Sequence, residues 1–192
     1  RWSGDWSSDV CSSDLKNDSK IGYFKIEIDK IITPYFMDDK NKLLCITYSM
    51  NLIKLLTVEG QQNIDVFELI KNLKDLLEDD KWLIKFIFWE LSFYKSVGYD
   101  IEFKDYVDKE ILNNGEEKYY VKSTNKFVPK FLINKNYNIN NTKDILDGFK
   151  IVGDYLEKTI LKTIGINYPN SRLEFFNSIK NLDLSDPQNM KL

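Results

Sequence analysis

Residues 81–99 read KWLIKFIFWELSFYKSVGY and carry apolar side chains around nearly the whole circumference of a helix. A helix that is apolar on almost every side belongs at the centre of a domain. Its aromatic face consists of Trp82, Phe86, Trp89 and Phe93. Asp79 or Asp80 is placed to cap its start, and Gly98 suits the left-handed position at its end. The pattern therefore predicts a central core helix, and we interpret its aromatic face as core and not as a cofactor cradle.

Two amphipathic helices are predicted before this central helix. Apolar residues recur at helical spacing over residues 40–56, directly after Asp38 and Asp39, whose charges suit the start of a helix. The same spacing recurs over residues 65–77. The predicted buried face of this second helix consists of Phe67, Ile70, Leu73, Leu76 and Leu77.

Two further helices are predicted near the C-terminal end. The hydroxyl of Thr142 can cap a helix that runs to Gly165. Its buried stripe consists of Ile145, Phe149, Val152, Leu156 and Ile160. A last helix follows Pro169 and is capped by Asn170 or Ser171. Residues 183–192 form a polar tail, which we expect to be frayed.

The remaining segments have the character of β-structure. Residues 21–32 alternate polar and apolar side chains, which is typical of a half-buried strand. Residues 99–140 contain an Asn-Asn-Gly turn at Gly115, the β-prone pieces KYYVKS and KFVPKFLI, and Pro129. They predict an irregular hairpin-like excursion. The fold class is therefore mainly α, with one strand before a helical domain that contains a small β excursion.

Composition argues against catalysis and for a binding protein. Histidine is absent, which removes the commonest general base, the commonest zinc ligand and every Ser-His or Cys-His triad. Acidic clusters such as Glu78, Asp79 and Asp80 fall at helix starts, where solvated capping explains them. The sequence has neither a glycine-rich phosphate loop nor a CxxC motif. We therefore expect no enzymatic activity, no bound metal and no cofactor.

Composition also indicates the compartment. Hydrophobic residues make up 43% and charged residues 30% of the chain, which is typical of a soluble globular protein. No apolar run approaches the roughly 18 residues of a membrane span. The two cysteines, Cys11 and Cys45, build no disulfide framework. These features predict a cytoplasmic protein without membrane contact.

The first fifteen residues differ from the rest of the chain. Residues 5–15 read DWSSDVCSSDL, whereas the chain after Lys16 is rich in Lys, Asn, Ile, Tyr and Phe. These eleven residues can be encoded by DNA that resembles the adapter oligonucleotide of short-read sequencing libraries. We therefore expect residues 1–15 to be an adapter-derived, disordered artefact. We also expect the natural protein to begin upstream of Lys16, so that this chain is truncated.

Charge is distributed unevenly along the chain. Residues 16–117 hold 14 lysines against 20 acidic residues, whereas residues 118–180 hold 10 lysines and one arginine against five acidic residues. Lysines bind phosphates, and exposed aromatic side chains stack on bases, so the basic half is suited to nucleic acid or to an acidic peptide. The aromatic residues of the β excursion are Tyr119, Tyr120, Phe127, Phe131 and Tyr137. The alternative is that the lysines form a solvated face and these aromatic residues are buried.

Several short apolar motifs resemble one known family. The segments FIFWELSFYKSVGYDIEF, LDGFKIVGDYLEKTI and YPNSRLEFFNSI resemble the C-terminal helical domain of the bacterial recombination mediators of the RecO family. IGYFKIEIDKIITPYF and NLIKLLTVEGQQNIDVFELIKNLKDLL resemble that family's passage from an N-terminal OB-fold into its helices. The resemblance implies an OB-fold remnant over residues 16–36 and a helical domain over residues 37–182.

The resemblance also bears on metal. Many members of the family carry a four-cysteine zinc module where residues 99–140 stand in this chain. The segment has no cysteine, and Tyr106 stands where the first ligand falls. We therefore expect no zinc. Apolar packing is expected to hold the excursion instead, through Phe103, Tyr106, Tyr120 and Phe131.

The function implied by the resemblance is recombinational DNA repair. Proteins of this family bind single- and double-stranded DNA, anneal complementary strands, and work with RecR to load RecA onto DNA covered by single-strand-binding protein. They also dock the acidic, Phe-ended tail of single-strand-binding protein. The resemblance implies a cytoplasmic, nucleoid-associated protein. The alternative is a helical protein-interaction adaptor without direct DNA contact.

The candidate binding residues lie in the last two predicted helices. Lys150, Lys158, Lys162 and Arg172 flank apolar stripes, where a basic rim can catch DNA or an acidic peptide. Arg172 is the leading candidate because it is the only arginine after Arg1, and its planar fork suits a carboxylate or a phosphate. Because the chain after Lys16 is close to neutral, we expect its DNA binding to be weak.

Overall fold

The computed structural model describes residues 9–15, 24–58, 61–113, 115–137, 139, 141–180 and 182. Helices dominate this part of the chain, as the sequence predicts. In chain order they are α1 (Lys40–Leu56), α2 (Ile64–Lys71), α3 (Leu73–Glu78), α4 (Trp82–Ser96), α5 (Phe103–Tyr106), α6 (Lys130–Asn134), α7 (Thr142–Tyr155), α8 (Lys162–Ile164) and α9 (Asn170–Ile179). None of the helices in these described ranges is both long enough and apolar enough to cross a membrane.

Two antiparallel strands precede the helices. Strand β1 (Asp9–Leu15) pairs with β2 (Phe24–Ile31), and the register shifts between Val10 and Cys11. β2 lies within the residues whose alternation predicts a strand. β1 lies within the segment that we expect to be disordered, and it satisfies backbone groups along one edge of β2. The adapter origin of residues 1–15 and the OB-fold remnant stay predictions, and residues 1–8, 16–23 and 183–192 lie outside the described residues.

Helix α1 begins and ends where the sequence predicts. A short 3₁₀ turn (Thr33–Phe36) leads to Asp39, whose side chain accepts hydrogen bonds from the backbone N–H groups of Asn41 and Lys42, both at 3.0 Å. This carboxylate satisfies two donors that the first turn of a helix leaves free. The buried face of α1 includes Cys45, Ile46, Tyr48 and Leu52.

The predicted helix over residues 65–77 is divided into α2 and α3. The break lies at Asn72, whose backbone angles are φ −85° and ψ −4°. Val66, Leu73 and Leu77 are buried, but Phe67 is 44% exposed, so its predicted place on the buried face is wrong. The break at Asn72 interrupts the helical periodicity, so the stripe of α3 does not continue along α2 through Phe67.

Helix α4 is the centre of the domain, as predicted. The four residues of its predicted aromatic face, at positions 82, 86, 89 and 93, are all buried. Trp89 stacks on both Phe86 and Phe93, with ring centroids 5.3 and 5.8 Å apart, and donates its indole N–H to the Leu69 carbonyl at 2.9 Å. Gly98 follows with φ +92°, which a glycine adopts without steric cost. The buried apolar side chains of the helices form one cluster around α4.

The β excursion is a three-stranded antiparallel sheet. Its strands are β3 (Val107–Ile111), β4 (Glu117–Val121) and β5 (Phe127–Val128), in the order β3-β4-β5. Phe103 and Phe131 are buried beside it, as predicted. Tyr106 is 56% exposed, so its predicted role in packing is wrong. Tyr106 is the last residue of α5, and its neighbour Val107, the first residue of β3, packs against the core instead.

The last helices pack against α4 and α1. Asn141 caps α7 through a side-chain hydrogen bond to the N–H of Lys143, so the cap predicted at Thr142 is wrong by one residue. A π-helix (Leu156–Leu161) joins α7 to α8, and Gly165 ends the helix with φ +70°. Helix α9 follows Pro169 and packs against α1 without a side-chain cap, so neither Asn170 nor Ser171 has the predicted capping role.

Candidate functional site

Arg172 is buried at the centre of the helical domain. Only 3% of its side chain is exposed, and its Nη2 atom lies 3.1 Å from Oε2 of Glu90, which is 0% exposed. Nε donates to Glu90 Oε1 at 3.1 Å, and Nη2 also donates to the Phe149 carbonyl at 3.1 Å. We predicted a rim position for Arg172 from sequence, and the structure corrects this placement. The core encloses the guanidinium because a carboxylate is there to neutralise it.

Three tyrosines complete this network, which we call the buried ion centre (Tyr48, Glu90, Tyr94, Tyr168 and Arg172). The hydroxyls of Tyr48 and Tyr94 both donate to Glu90 Oε1, and Arg172 Nη1 donates to the Tyr168 oxygen at 3.0 Å. Burial raises the pKa of Tyr48 and of Tyr94 well above the ordinary value, and the charge of Glu90 adds to the rise. Burial alone would lower the pKa of Arg172, but the Glu90 carboxylate together with Tyr48, Tyr94 and Tyr168 outweighs burial and holds that pKa above its ordinary value.

Lys150, Lys158 and Lys162 lie on the surface, as predicted. All three side chains are exposed. They share one side of the continuous helix formed by α7, the π-helix and α8, where Lys150, Asp154, Lys158 and Lys162 follow at every fourth position. Lys150 forms an ion pair with Asp147 at 2.7 Å, and Lys158 lies 3.9 Å from Asp154.

A fourth lysine, which sequence reasoning missed, joins this surface. Lys126 lies in the connection between β4 and β5, and its ammonium pairs with the same Oδ2 atom of Asp154 that faces Lys158. One carboxylate therefore holds two lysines that are far apart in sequence. The available signal was an acid-free run, because residues 118–143 contain six lysines and no Asp or Glu. We call Lys126, Lys150, Lys158 and Lys162 the basic ridge.

The structure separates the five aromatic residues of the excursion. Phe131 is buried, Tyr119 packs against the core, and Tyr137 lies against Phe88 with ring centroids 4.7 Å apart. Tyr120 and Phe127 form an edge-to-face pair with centroids 6.2 Å apart, and Phe127 is 36% exposed. This pair lies in the sheet whose β4–β5 connection carries Lys126. A basic surface and an aromatic pair are therefore neighbours in the fold.

Residues 37–164, more than half of the chain, match the sequence model of the family described as Recombination protein O C terminal. The chain belongs to the RecO family. It is therefore a recombination and repair protein of RecO type, with the mainly helical fold that the sequence predicts. The RecO match begins before α1 and ends with α8, so it includes the basic ridge, whereas Arg172 and α9 lie beyond it. A search of curated proteins and a search of solved structures each gave no significant match.

The zinc module of many RecO proteins does not fit the donor set of this chain. The excursion contains no cysteine and no histidine. Glu117, one of several carboxylates in the excursion, is engaged by Lys109 and Lys130, and among the described residues no group of three potential metal ligands comes together. Cys45 is buried in α1, where burial raises the pKa of its thiol well above the ordinary value. Packing of Phe103 and Phe131 holds the sheet in place.

Proposed function

We propose that this chain acts as a RecO-type recombination mediator that works by binding and not by catalysis. In this role it binds single- and double-stranded DNA, promotes annealing, docks the acidic tail of single-strand-binding protein, and works with RecR to load RecA. We place it in the cytoplasm at the nucleoid, without a metal or cofactor. The observation that carries the proposal is the meeting of Lys126 and Lys158 at Asp154, within a domain of the RecO family.

The basic ridge supplies the affinity for phosphate in this proposal. Lysine ammonium groups that neutralise phosphates release condensed counterions, so the binding constant falls steeply with salt. Asp154 competes with phosphate for Lys126 and Lys158, because a carboxylate and a phosphate seek the same donors. Neutralising the lysines and neutralising Asp154 must therefore change DNA affinity in opposite directions.

The test is a fluorescence anisotropy titration with labelled single-stranded and duplex DNA between 50 and 200 mM salt. We expect the triple variant Lys126→Gln, Lys158→Gln, Lys162→Gln to bind at least about tenfold more weakly at low salt, with a salt slope for single strands smaller by about 2. Asp154→Asn should bind a few-fold more tightly. The matched control is Lys71→Gln, which removes an exposed lysine 3.8 Å from Glu68 on α2 and should change nothing.

A second titration uses an acidic peptide that ends in phenylalanine. The proposal expects this peptide to bind and to lose affinity in the Lys158→Gln, Lys162→Gln variant, because the ridge provides the cations for its carboxylates. If the peptide binds while DNA does not, the chain is a protein-interaction adaptor without DNA contact. If the triple variant retains the wild-type salt slope, the ridge is not the DNA site.

A further inference from the structure

Tyr120 and Phe127 lie on the face of the three-stranded sheet that points away from the core. Tyr120 is paired directly with Phe127 across β4 and β5, and their neighbours Tyr119 and Val128 form the adjacent pair. Val128 is buried and Tyr119 packs against the core. Because side chains alternate between the two faces of a strand, Tyr120 and Phe127 occupy the opposite, outward face.

The outward face is polarised in charge. On the β3 side, Asp108 lies opposite Tyr120, and Glu110 lies opposite Lys118. The β4–β5 connection carries Lys122 and Lys126, with no acidic residue in the connection itself, and the Lys122 ammonium donates to the Asp105 carbonyl at 2.8 Å. Lys126 reaches Asp154 there, beside the basic ridge. A polyanion that crosses this face is repelled along β3 and attracted along the β4–β5 connection.

We infer that the outward face of the β3-β4-β5 sheet is a stacking platform for unpaired bases of single-stranded nucleic acid. The inference rests on the proposed function and specifies which form of nucleic acid this face takes. Rings on the outward face of a sheet offer π-faces to any base, without regard to sequence. Phe127 is exposed and Tyr120 is half-buried. The phosphate backbone runs along Lys126 towards the basic ridge, and the bases stack over Phe127 and Tyr120.

The occupant is a single strand and not a duplex. In a duplex, each base already stacks on its neighbours, so its faces are not available to Tyr120 and Phe127. Duplex DNA therefore gains only the phosphate contacts of the basic ridge, which are insensitive to sequence. The platform adds a contact that single strands alone can make, so it gives the surface a preference for unpaired DNA.

The test compares single-stranded oligonucleotides with a duplex of the same length, by anisotropy on the full chain at 50 mM salt. We expect Tyr120→Ala, Phe127→Ala to weaken single-strand binding by about tenfold or more and to leave duplex binding within about twofold. The conservative variant Tyr120→Phe, Phe127→Tyr keeps both rings and should keep wild-type affinity. Tyr35→Ala, which removes a ring that is 65% exposed on the 3₁₀ turn, is the matched control.

Several outcomes would overturn the platform. Equal loss for single strands and duplex would mean that the alanine variant disturbs the sheet or the ridge, and unchanged single-strand binding would remove the aromatic pair from the site. Loss of acidic-peptide binding with DNA binding intact would make this face a peptide site instead. If the lysine variant weakens DNA binding and the aromatic variant does not, the proposed function stands and the platform fails. If wild type binds no DNA at low salt, both fail.

Discussion

Two glutamates, each held by several donors, lie in different surroundings. Glu90 accepts hydrogen bonds from Tyr48, Tyr94 and Arg172 inside the helical core. Glu117, at the start of β4, is engaged by Lys109, Lys130 and the Tyr119 hydroxyl, which donates at 3.0 Å. Glu90 is fully buried, whereas 31% of the Glu117 side chain is exposed.

The difference shows that the surroundings, and not the number of partners, decide how much a charged group matters to the fold. Water replaces a lost partner at an exposed ion pair, so such pairs contribute little to stability. A buried carboxylate that loses its cation keeps the full cost of desolvation. The only arginine after residue 1 is therefore a structural residue, whereas the lysines of the basic ridge are exposed.

The largest effect is expected at the buried ion centre. Arg172→Met should lower the free energy of unfolding by about 3–5 kcal/mol, because Glu90 then has no buried cation. Urea denaturation followed by far-UV circular dichroism measures this loss. Arg172→Met combined with Glu90→Leu should be more stable than Arg172→Met alone. If Arg172→Met lost less than about 1 kcal/mol, the buried pair of Glu90 would contribute no more to stability than an exposed pair such as that of Glu117.

A smaller effect is expected at Gly153, which lies against the same centre. A Cβ atom there would lie 2.7 Å from Arg172 Nη1 and 2.8 Å from the Tyr168 oxygen. Gly153→Ala should lower the free energy of unfolding by about 1–3 kcal/mol, because the guanidinium is fixed by hydrogen bonds and cannot retreat cheaply. Helix propensity alone predicts that Gly153→Ala raises the free energy of unfolding by up to about 1 kcal/mol. The direction of the shift in Tm in thermal melts therefore distinguishes the two effects. In the Arg172→Met background the penalty should shrink.

The smallest effect is expected at Glu117, and it depends on pH. Its hydrogen bonds to Lys109, Tyr119 and Lys130 lower the pKa of Glu117 from 4.5 to about 2. A carboxyl whose pKa is lower in the folded state contributes its stability above pH 4.5 and loses it as pH falls from about 4.5 to about 2. The hydrogen-exchange protection factors of the β3 and β4 amides, which correct for the intrinsic pH dependence of exchange, should fall within this window. Glu117→Gln should remove that dependence, and an unchanged profile in this variant would contradict the assignment.

Local features of the fold were predictable from the sequence. Helix α1 has the predicted bounds because Asp39 and an apolar stripe act within a few residues of each other. Helix α4 is central because apolar residues occupy most of its circumference. The break at Asn72 and the cap at Asn141 were missed, since neighbouring residues of similar propensity compete for these positions and packing decides between them.

The contacts that define the buried ion centre and the basic ridge were not predictable from local sequence. Glu90 lies 42 residues after Tyr48 and 82 residues before Arg172 in the sequence, so no periodicity relates them. The pair between Lys126 and Asp154 spans 28 residues. The composition shows that residues 118–180 are basic. Only the fold shows that Arg172 is buried in the core and that Lys126 lies with the other lysines of the basic ridge.

The packing of α9 determines where the helical domain can be truncated at its C-terminal end. The family match ends at residue 164, yet α9 supplies Arg172 and the buried ring of Phe175 to the core. The Phe175 ring contacts Tyr48, Phe86 and Phe149. A chain that stopped at residue 164 would leave Glu90 without its cation and open a gap against α1. The cooperative folding unit therefore extends through residue 179, fifteen residues past the end of the family match.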